Sequence, residues 1–347
     1  MTRLKTKLSA LLPFIGLLCA QAQRDTKTIN DGWFFRKAST ENWQPVNVPH
    51  TYNLDAYSQR NYYMGKAFYQ KSFVLPEVPQ GKRCFLKIDA ASKAADLMLN
   101  GQKIGSHAGG YSAFTFDITP YLQKNNTIEI SRKDITPISA DFTFWGGIYR
   151  DVWLITTSEQ HFNLLNHGSD GIFISTPHVD EKEATIEIRS EITNDATEKA
   201  TLEVIHQIYD PQGKLQQTLK QRLSVKAGET QTVRKTSAIG QPQLWSPESP
   251  RLYEIVTTLR NPKTGMELDR STHKTGFRWF SFDGEKGFSL NGKPYKLRGV
   301  NRHQDQAPVG VALDDEAHRR DIRLIKEMGC NFIRIAHYPQ DDALVEA

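Results

Sequence analysis

The sequence predicts a mainly β protein: a jelly-roll β-sandwich, then an immunoglobulin-like β-sandwich, then the truncated start of a (β/α)8 TIM barrel. Three observations carry this. Short apolar runs with partial period-two alternation, cut by Gly, Pro, Asn and Asp turn signals, fill most of residues 33–275, and no long helical period appears. After Gly276-Phe-Arg278 the pattern changes to strand, helix, strand. Two dense polar strand ends then follow, Arg298-Gly-Val-Asn-Arg-His303 and Asn331-Phe-Ile-Arg-Ile-Ala-His-Tyr-Pro339, at the place where barrels keep their chemistry. One such unit cannot close a barrel, so the expectation is a front portion of a longer enzyme.

Residues 1–22 read as a signal peptide. Arg3, Lys5 and Lys7 form a basic start, Leu8 to Leu18 is a short apolar run interrupted by Pro13, and Ala20-Gln-Ala22 fits a small-x-small cleavage site. The run is too short for a membrane span. Cys19 invites a lipoprotein reading, but Leu18 before it is bulky where a small residue is usual, and ordinary cleavage is favoured. A periplasmic or secreted location follows.

Residues 23–156 are expected to form the first sandwich. Ala67-Phe-Tyr-Gln-Lys-Ser-Phe73, Arg83-Cys-Phe-Leu-Lys-Ile-Asp89 and Ala95-Asp-Leu-Met-Leu99 are apolar-rich strands, and Asn100-Gly101 is a tight hairpin turn. Gly109-Gly110 and Gly146-Gly147 mark close turns or backbone approaches. Residues 157–276 repeat the all-β pattern: Thr185-Ile-Glu-Ile-Arg189 and Leu202-Glu-Val-Ile-His-Gln-Ile208 alternate, with turns at Asp210-Pro-Gln-Gly213 and Lys226-Ala-Gly228. Few clustered aromatic or ionisable groups are evident there, so this unit reads as a spacer. Residues 277–347 open with a hairpin about Asn291-Gly292. Asp314 caps a helix whose first turn holds Asp315 and Glu316. Ile322, Ile325 and Met328 share one face, bordered by Leu324, and Gly329 ends the helix before a strand from Asn331 to Ile335.

Chemistry-bearing side chains concentrate at the strand ends. His337 can donate to a sugar hydroxyl or orient a carboxylate, and Arg334 can grip a carboxylate at two points or simply fix the strand end. Alternation puts Arg302 opposite Asn301 and His303, which reach the pocket rim or support it. In the first sandwich, Asp141-Phe-Thr-Phe-Trp-Gly-Gly-Ile-Tyr-Arg-Asp151 packs acids and aromatics around a glycine pair. That is either a sugar platform or a core strand with its rings inside. Trp33, Trp43, Trp153 and Trp245 read as core or interface packing.

Composition excludes other classes. Removing the first 22 residues takes away three basic groups and no acids, so the net charge falls from +5 to +2, and no basic run with interleaved aromatics points to nucleic acid. Cys84 and Cys330 fall in different predicted domains and make no disulfide framework. His-Glu-x-x-His, a phosphate loop and a Gly-x-Ser-x-Gly elbow are all missing.

Residues 298–339 resemble the start of the catalytic barrel in the glycoside hydrolase family 2 enzymes, which include β-galactosidases, β-glucuronidases and β-mannosidases. The likeness extends upstream through Val48-Pro-His-Thr51, Leu99-Asn-Gly101, Gly109-Gly-Tyr111, Phe116-Asp-Ile-Thr119, Gly146-Gly-Ile-Tyr-Arg-Asp-Val-Trp153 and Leu244-Trp-Ser-Pro-Glu-Ser-Pro-Arg-Leu-Tyr253. The resemblance implies retaining hydrolysis of a terminal β-glycosidic bond, with β-D-galactosides the first choice. The substrate would be a β-linked oligo- or polysaccharide or another β-glycoside, and the full-length protein a homo-oligomer. Asp141 matches an aspartate that reaches the substrate sugar, His337 a glycone-binding histidine, and Arg334 an arginine that supports active-site carboxylates. Asn301 and His303 fall in a signature strand of the supporting network. Both catalytic glutamates belong to later barrel strands, and Glu346, in the second barrel helix region, is no substitute. No cofactor is expected in this chain, and the resemblance allows Mg2+ or Na+ in the whole enzyme. The rival readings are an inactive carbohydrate-binding fragment and a β-sandwich scaffold module, and a scaffold has no need of polar barrel strand ends.

Overall fold

A computed structural model describes residues 24–58, 62–75, 80–132 and 142–347. The expected signal peptide and Asp141 lie outside them. The first sandwich packs two antiparallel sheets. One runs Asp25–Thr28, Val152–Ser158, Lys82–Ile88, Phe114–Asp117. The other runs Gln44–Val46, Trp33–Lys37, Ala67–Val74, Asn125–Arg132, Ala94–Leu99, Gln102–Ala108. Alternation decides which face is covered: in Ala94–Leu99, Ala95, Leu97 and Leu99 are buried while Ala94, Asp96 and Met98 are only partly so. The inward set meets Trp33, Tyr69, Leu86, Ile88, Ile128, Ile130, Val152 and Leu154 in one core. Trp33 is fully buried, whereas Trp43 is 39% exposed with the Arg36 guanidinium over its ring, which corrects its assignment to packing.

Turn chemistry behaves as the residues require. Asn100 and Gly101 take φ of 52° and 77°, and Asn291 and Gly292 take 50° and 73°. Two left-handed residues in succession match the twist of a two-residue hairpin, and they set the pairs Leu99 with Gln102 and Leu290 with Lys293. Gly147 has φ 141°, and a Cβ there would lie 2.0 Å from the His50 carbonyl oxygen. The antiparallel pairing of Gly147–Ile148 with His50–Thr51 therefore depends on the missing side chain.

The second unit is a sandwich of two antiparallel sheets. Glu183–Asn194 pairs with Gln160–Phe162, Ile172–Val179 and Glu229–Gly240. The facing sheet runs Leu215–Val225, Ala200–Tyr209, Tyr253–Arg260, Glu267–Thr275. Ile186, Ile188, Val204, Ile208, Val233, Ile255 and Leu259 fill the space between. Contrary to the reading of the sequence, ionisable groups do cluster here, because they fasten the two sandwiches together. Arg24 donates to both oxygens of fully buried Asp269 at 2.9 and 2.8 Å. Asp195 joins Arg83 of the first sandwich at 3.3 Å to His161 at 3.0 Å. Within the second sandwich itself, Asp170 accepts from Ser271 and lies 3.0 Å from His273.

The last unit begins with a three-stranded antiparallel sheet, Phe280–Asp283, Gly287–Leu290 and Lys293–Pro294. Strand Gly299–Arg302, helix Asp315–Glu327 and strand Phe332–Ile335 follow, and the two strands pair in parallel with Asn301 opposite Arg334. Asp314 caps the helix by accepting from the Ala317 N–H at 2.8 Å, and Gly329 just beyond the end takes φ 81°. The face predicted to be apolar has little to pack on: Met328 is 66% exposed and Leu324 51%. A short helix, Asp342–Glu346, ends the chain. No helix among the described residues is long and apolar enough to cross a membrane.

Burial by itself would raise the Asp170 carboxyl, but the His273 bond and charge, Ser271 and Arg24 outweigh it and hold it at about 2, below its ordinary 3.8. A depressed carboxyl stabilises the fold above the unfolded value and loses that contribution as pH falls through the folded value. Asp170→Asn should therefore remove about 2 kcal/mol at neutral pH. It should also flatten the acid limb of the stability curve between about pH 4 and pH 2, measured by urea unfolding at stepped pH.

Candidate functional site at the parallel strand ends

The parallel pair sends its ends to the same side, against the first sandwich. Along Gly299–Arg302 and just beyond, Asn301 is exposed, Arg302 is buried and His303 is partly exposed, which is the expected alternation. Arg302 turns away from the opening into a polar cluster. Its Nε and Nη2 donate to Asp321 at 3.1 and 2.7 Å, and Nη2 lies 3.1 Å from His318 Nδ1. Gln340 accepts from its Nη1. One guanidinium thus ties the first strand to the helix and to the loop after the second strand.

On the open side, the rings of His303 and His337 meet nearly edge to face, centroids 5.3 Å apart. Arg334 Nη2 lies 3.3 Å from His337 Nδ1. Phe142 of the first sandwich leans on this group, 5.9 Å from His303, 5.6 Å from His337 and 5.9 Å from Tyr338. Asn301, His303, Arg334 and His337 are thereby brought to one surface, with Arg334 and His337 open to solvent. Asp141 adjoins Phe142 in sequence and lies outside the described residues. The surface offers hydrogen-bond donors, a guanidinium and an aromatic face, the combination that grips a sugar through its hydroxyls and its C–H groups.

Of the aromatic segment 142–151, Trp145 and Tyr149 are core-like, packed with Ala90 and Val311, whereas Phe142 reaches the site. Both readings of that segment therefore apply, to different rings. Three participants escaped assignment from the sequence. Tyr111 stacks on Tyr338 with centroids 4.3 Å apart and planes 3° from parallel. Burial, then the neighbouring Tyr338, push the Tyr111 hydroxyl up to about 12 against the pull of Arg150. Arg150 sits at 7% exposure between the sandwich and the barrel start. Gln304 is buried beside it and accepts from Arg150 Nη2. The motifs Gly109-Gly-Tyr111 and Gly146 to Trp153 held the first two, but nothing local distinguishes a seam residue from a core residue.

Behind the strand ends lies a cavity of about 420 Å³ lined by Asp89, Asp151, Asp315, Asp341 and Asp342, with Lys87 and Arg150. Burial raises both Asp151 and Asp342 above the usual carboxylate range. Among the described residues no three His, Cys, Asp or Glu side chains are placed to hold one metal ion.

Comparison with known proteins adds three findings. The model for the sugar binding domain of the glycosyl hydrolases family 2 matches residues 17–158, the model described simply as glycosyl hydrolases family 2 matches 170–278, and that for the family's TIM barrel domain matches 284–347. A β-glucuronidase of Bacteroides fragilis is 37% identical over 97% of this chain and 49% of its own length. A β-galactosidase of Bacteroides ovatus is 30% identical over 88% of this chain and 36% of its own. The solved structure of Bacteroides uniformis β-glucuronidase 2, covalently bound to cyclophellitol-6-carboxylate aziridine, is 55% identical with a TM-score of 0.89, over 93% of this chain and 41% of that one. The chain spans about half or less of the length of these relatives.

Replacing Arg302 with Met leaves Asp321 without its guanidinium in a half-buried site. The variant should lose about 3 kcal/mol of stability in the barrel start. The loss should appear as faster hydrogen exchange of residues 299–304 and 315–327 while both sandwiches keep their protection.

Proposed function

The chain belongs to glycosyl hydrolase family 2, and from that premise we propose that the protein hydrolyses terminal β-glucuronides with retention. The observation that carries the glucuronide reading is the 55% identity to an enzyme solved with a covalently bound cyclitol carrying a 6-carboxylate. A covalent adduct on a glycone mimic fits an enzyme that forms a glycosyl intermediate, and a 6-carboxylate is a group that glucuronate carries and galactose lacks. The galactosidase-like expectation gives way on this ground. A β-galactoside remains the second reading, favoured by the likeness to the Bacteroides ovatus β-galactosidase.

The proposed chemistry needs two carboxylic groups about 5–5.5 Å apart, one to protonate the leaving oxygen and one to attack the anomeric carbon. The two strand ends here supply amide, imidazole and guanidinium side chains instead. We place the catalytic pair on barrel strands that follow these two in a protein as long as the relatives. His337 then holds the glycone, with Asp141 reaching in from the first sandwich. Arg334 steadies a neighbouring carboxylate at two points, and Asn301 and His303 complete the supporting wall. The basic, apolar N-terminal run favours export to the periplasm or beyond.

In the full-length protein, His337→Ala should lower kcat/KM for nitrophenyl β-glucuronide by about 100-fold with the fold intact by circular dichroism. A polypeptide ending at Ala347 should turn over no nitrophenyl β-sugar. Preference for the galactoside over the glucuronide would reverse the order of the two readings. Turnover by residues 1–347 that is lost on mutating one of them would remove the placement of the catalytic pair.

A further inference from the structure

We propose that Arg150, a residue of the sugar-binding sandwich, is a positioning residue that sets the spacing of the two strand ends bearing His303 and His337. This rests on the reading of those ends as the glycone wall. The guanidinium is buried, and its partners come from three segments that are remote in sequence. Nη2 donates to the Pro339 carbonyl at 2.7 Å and to Gln304 Oε1 at 3.2 Å. Nη1 donates to the Tyr111 carbonyl at 3.3 Å, and Nε lies 3.5 Å from Asp341 Oδ2. Gln304 follows His303 directly, and Pro339 comes two residues after His337. One planar group therefore holds both ends at once, each by an atom next to or near its histidine.

The same seam carries a second support. Tyr111, whose carbonyl accepts from Arg150, lays its ring flat on Tyr338, the neighbour of His337. Between the strand ends themselves, Ala336 N–H donates to the Arg302 carbonyl at 3.2 Å. That bond joins the two ends, and Arg302 holds Gln340 from within the pair, while residues 304, 338 and 339 are held from outside it. Arg150 does this from the short bend that joins strands Gly147–Ile148 and Val152–Ser158 of the sandwich. A lysine cannot substitute, because a single ammonium on a flexible stem reaches one or two of these partners and lacks the fork.

The test uses Arg150→Met, Arg150→Lys and Arg24→Met in the full-length protein. Arg24→Met is the control: it also takes the guanidinium from a buried carboxylate, Asp269, but at the junction of the two sandwiches. Misplacement of a substrate-holding group by about 1 Å costs about 100-fold in rate. Arg150→Met should accordingly lose about 100-fold in kcat/KM for nitrophenyl β-glucuronide, more in kcat than in KM, and Arg150→Lys should recover less than about tenfold of that loss. Arg24→Met should lower the melting temperature and keep kcat/KM within about threefold of the parent. Wild-type kcat/KM per folded molecule in Arg150→Met would overturn the proposal, as would an equal loss in Arg24→Met at matched melting temperature. If Arg150→Met does not fold, Arg150→Lys decides by the same criterion. If the unmutated protein turns over no β-glycoside, the functional reading fails on its own. Positioning is then read by hydrogen exchange of residues 299–304 and 336–344 in Arg150→Lys: a rise of about tenfold or more supports it, and unchanged exchange overturns it.

Discussion

Two parallel strands and one covering helix cannot bury a core, so the barrel start depends on the surface it leans against. That surface is the first sandwich, and the contact is centred on the buried guanidinium of Arg150. Taking a guanidinium out of water is costly unless its donors are used. Here carbonyls from Tyr111 and Pro339 and the side chain of Gln304 use them, with the Asp341 carboxylate facing its Nε. Around this polar centre, Tyr111 on Tyr338 and Trp145 beside Val311 supply apolar contact. The seam is thus a small interdomain core with one charge in its middle, and the orientation of both strand ends follows from it.

The junction between the sandwiches is built in the same way. Arg24 with Asp269, and Arg83 with Asp195 and His161, place paired charges where two sheets meet. Apolar faces supply most of the burial within each sandwich, while directional bonds set how the sandwiches join. The immunoglobulin-like unit therefore does more than separate its neighbours. It anchors Arg24 and, through Trp245, the start of the next unit: Asn291 Nδ2 donates to the Trp245 carbonyl at 3.0 Å, and Arg278 lies over the Trp245 ring.

The glycone wall proposed for this protein is accordingly shared. Phe142 comes from the sandwich and His303 and His337 from the strand ends, so neither unit forms the surface alone. Sugar recognition of this kind tolerates little slack, because each hydroxyl contact is directional. A sandwich that holds these loops from behind meets that demand better than the loops could by themselves.

Features governed by a few neighbouring residues were legible in the sequence. The Asn100–Gly101 and Asn291–Gly292 turns, the Asp314 cap, the Gly329 stop and the inward turn of Arg302 all follow from local sterics and from periods of 2 and 3.6. The strand ends were recognisable too, since their polar residues have no place in a sheet core. The partners across the seam were not. That Tyr111 lies on Tyr338, that Arg150 reaches Pro339 and Gln304, and that Trp43 stays exposed while Trp145 is buried are settled by residues far apart in the chain. Sequence periodicity says which side of a strand a residue takes, but only tertiary packing says what waits on that side.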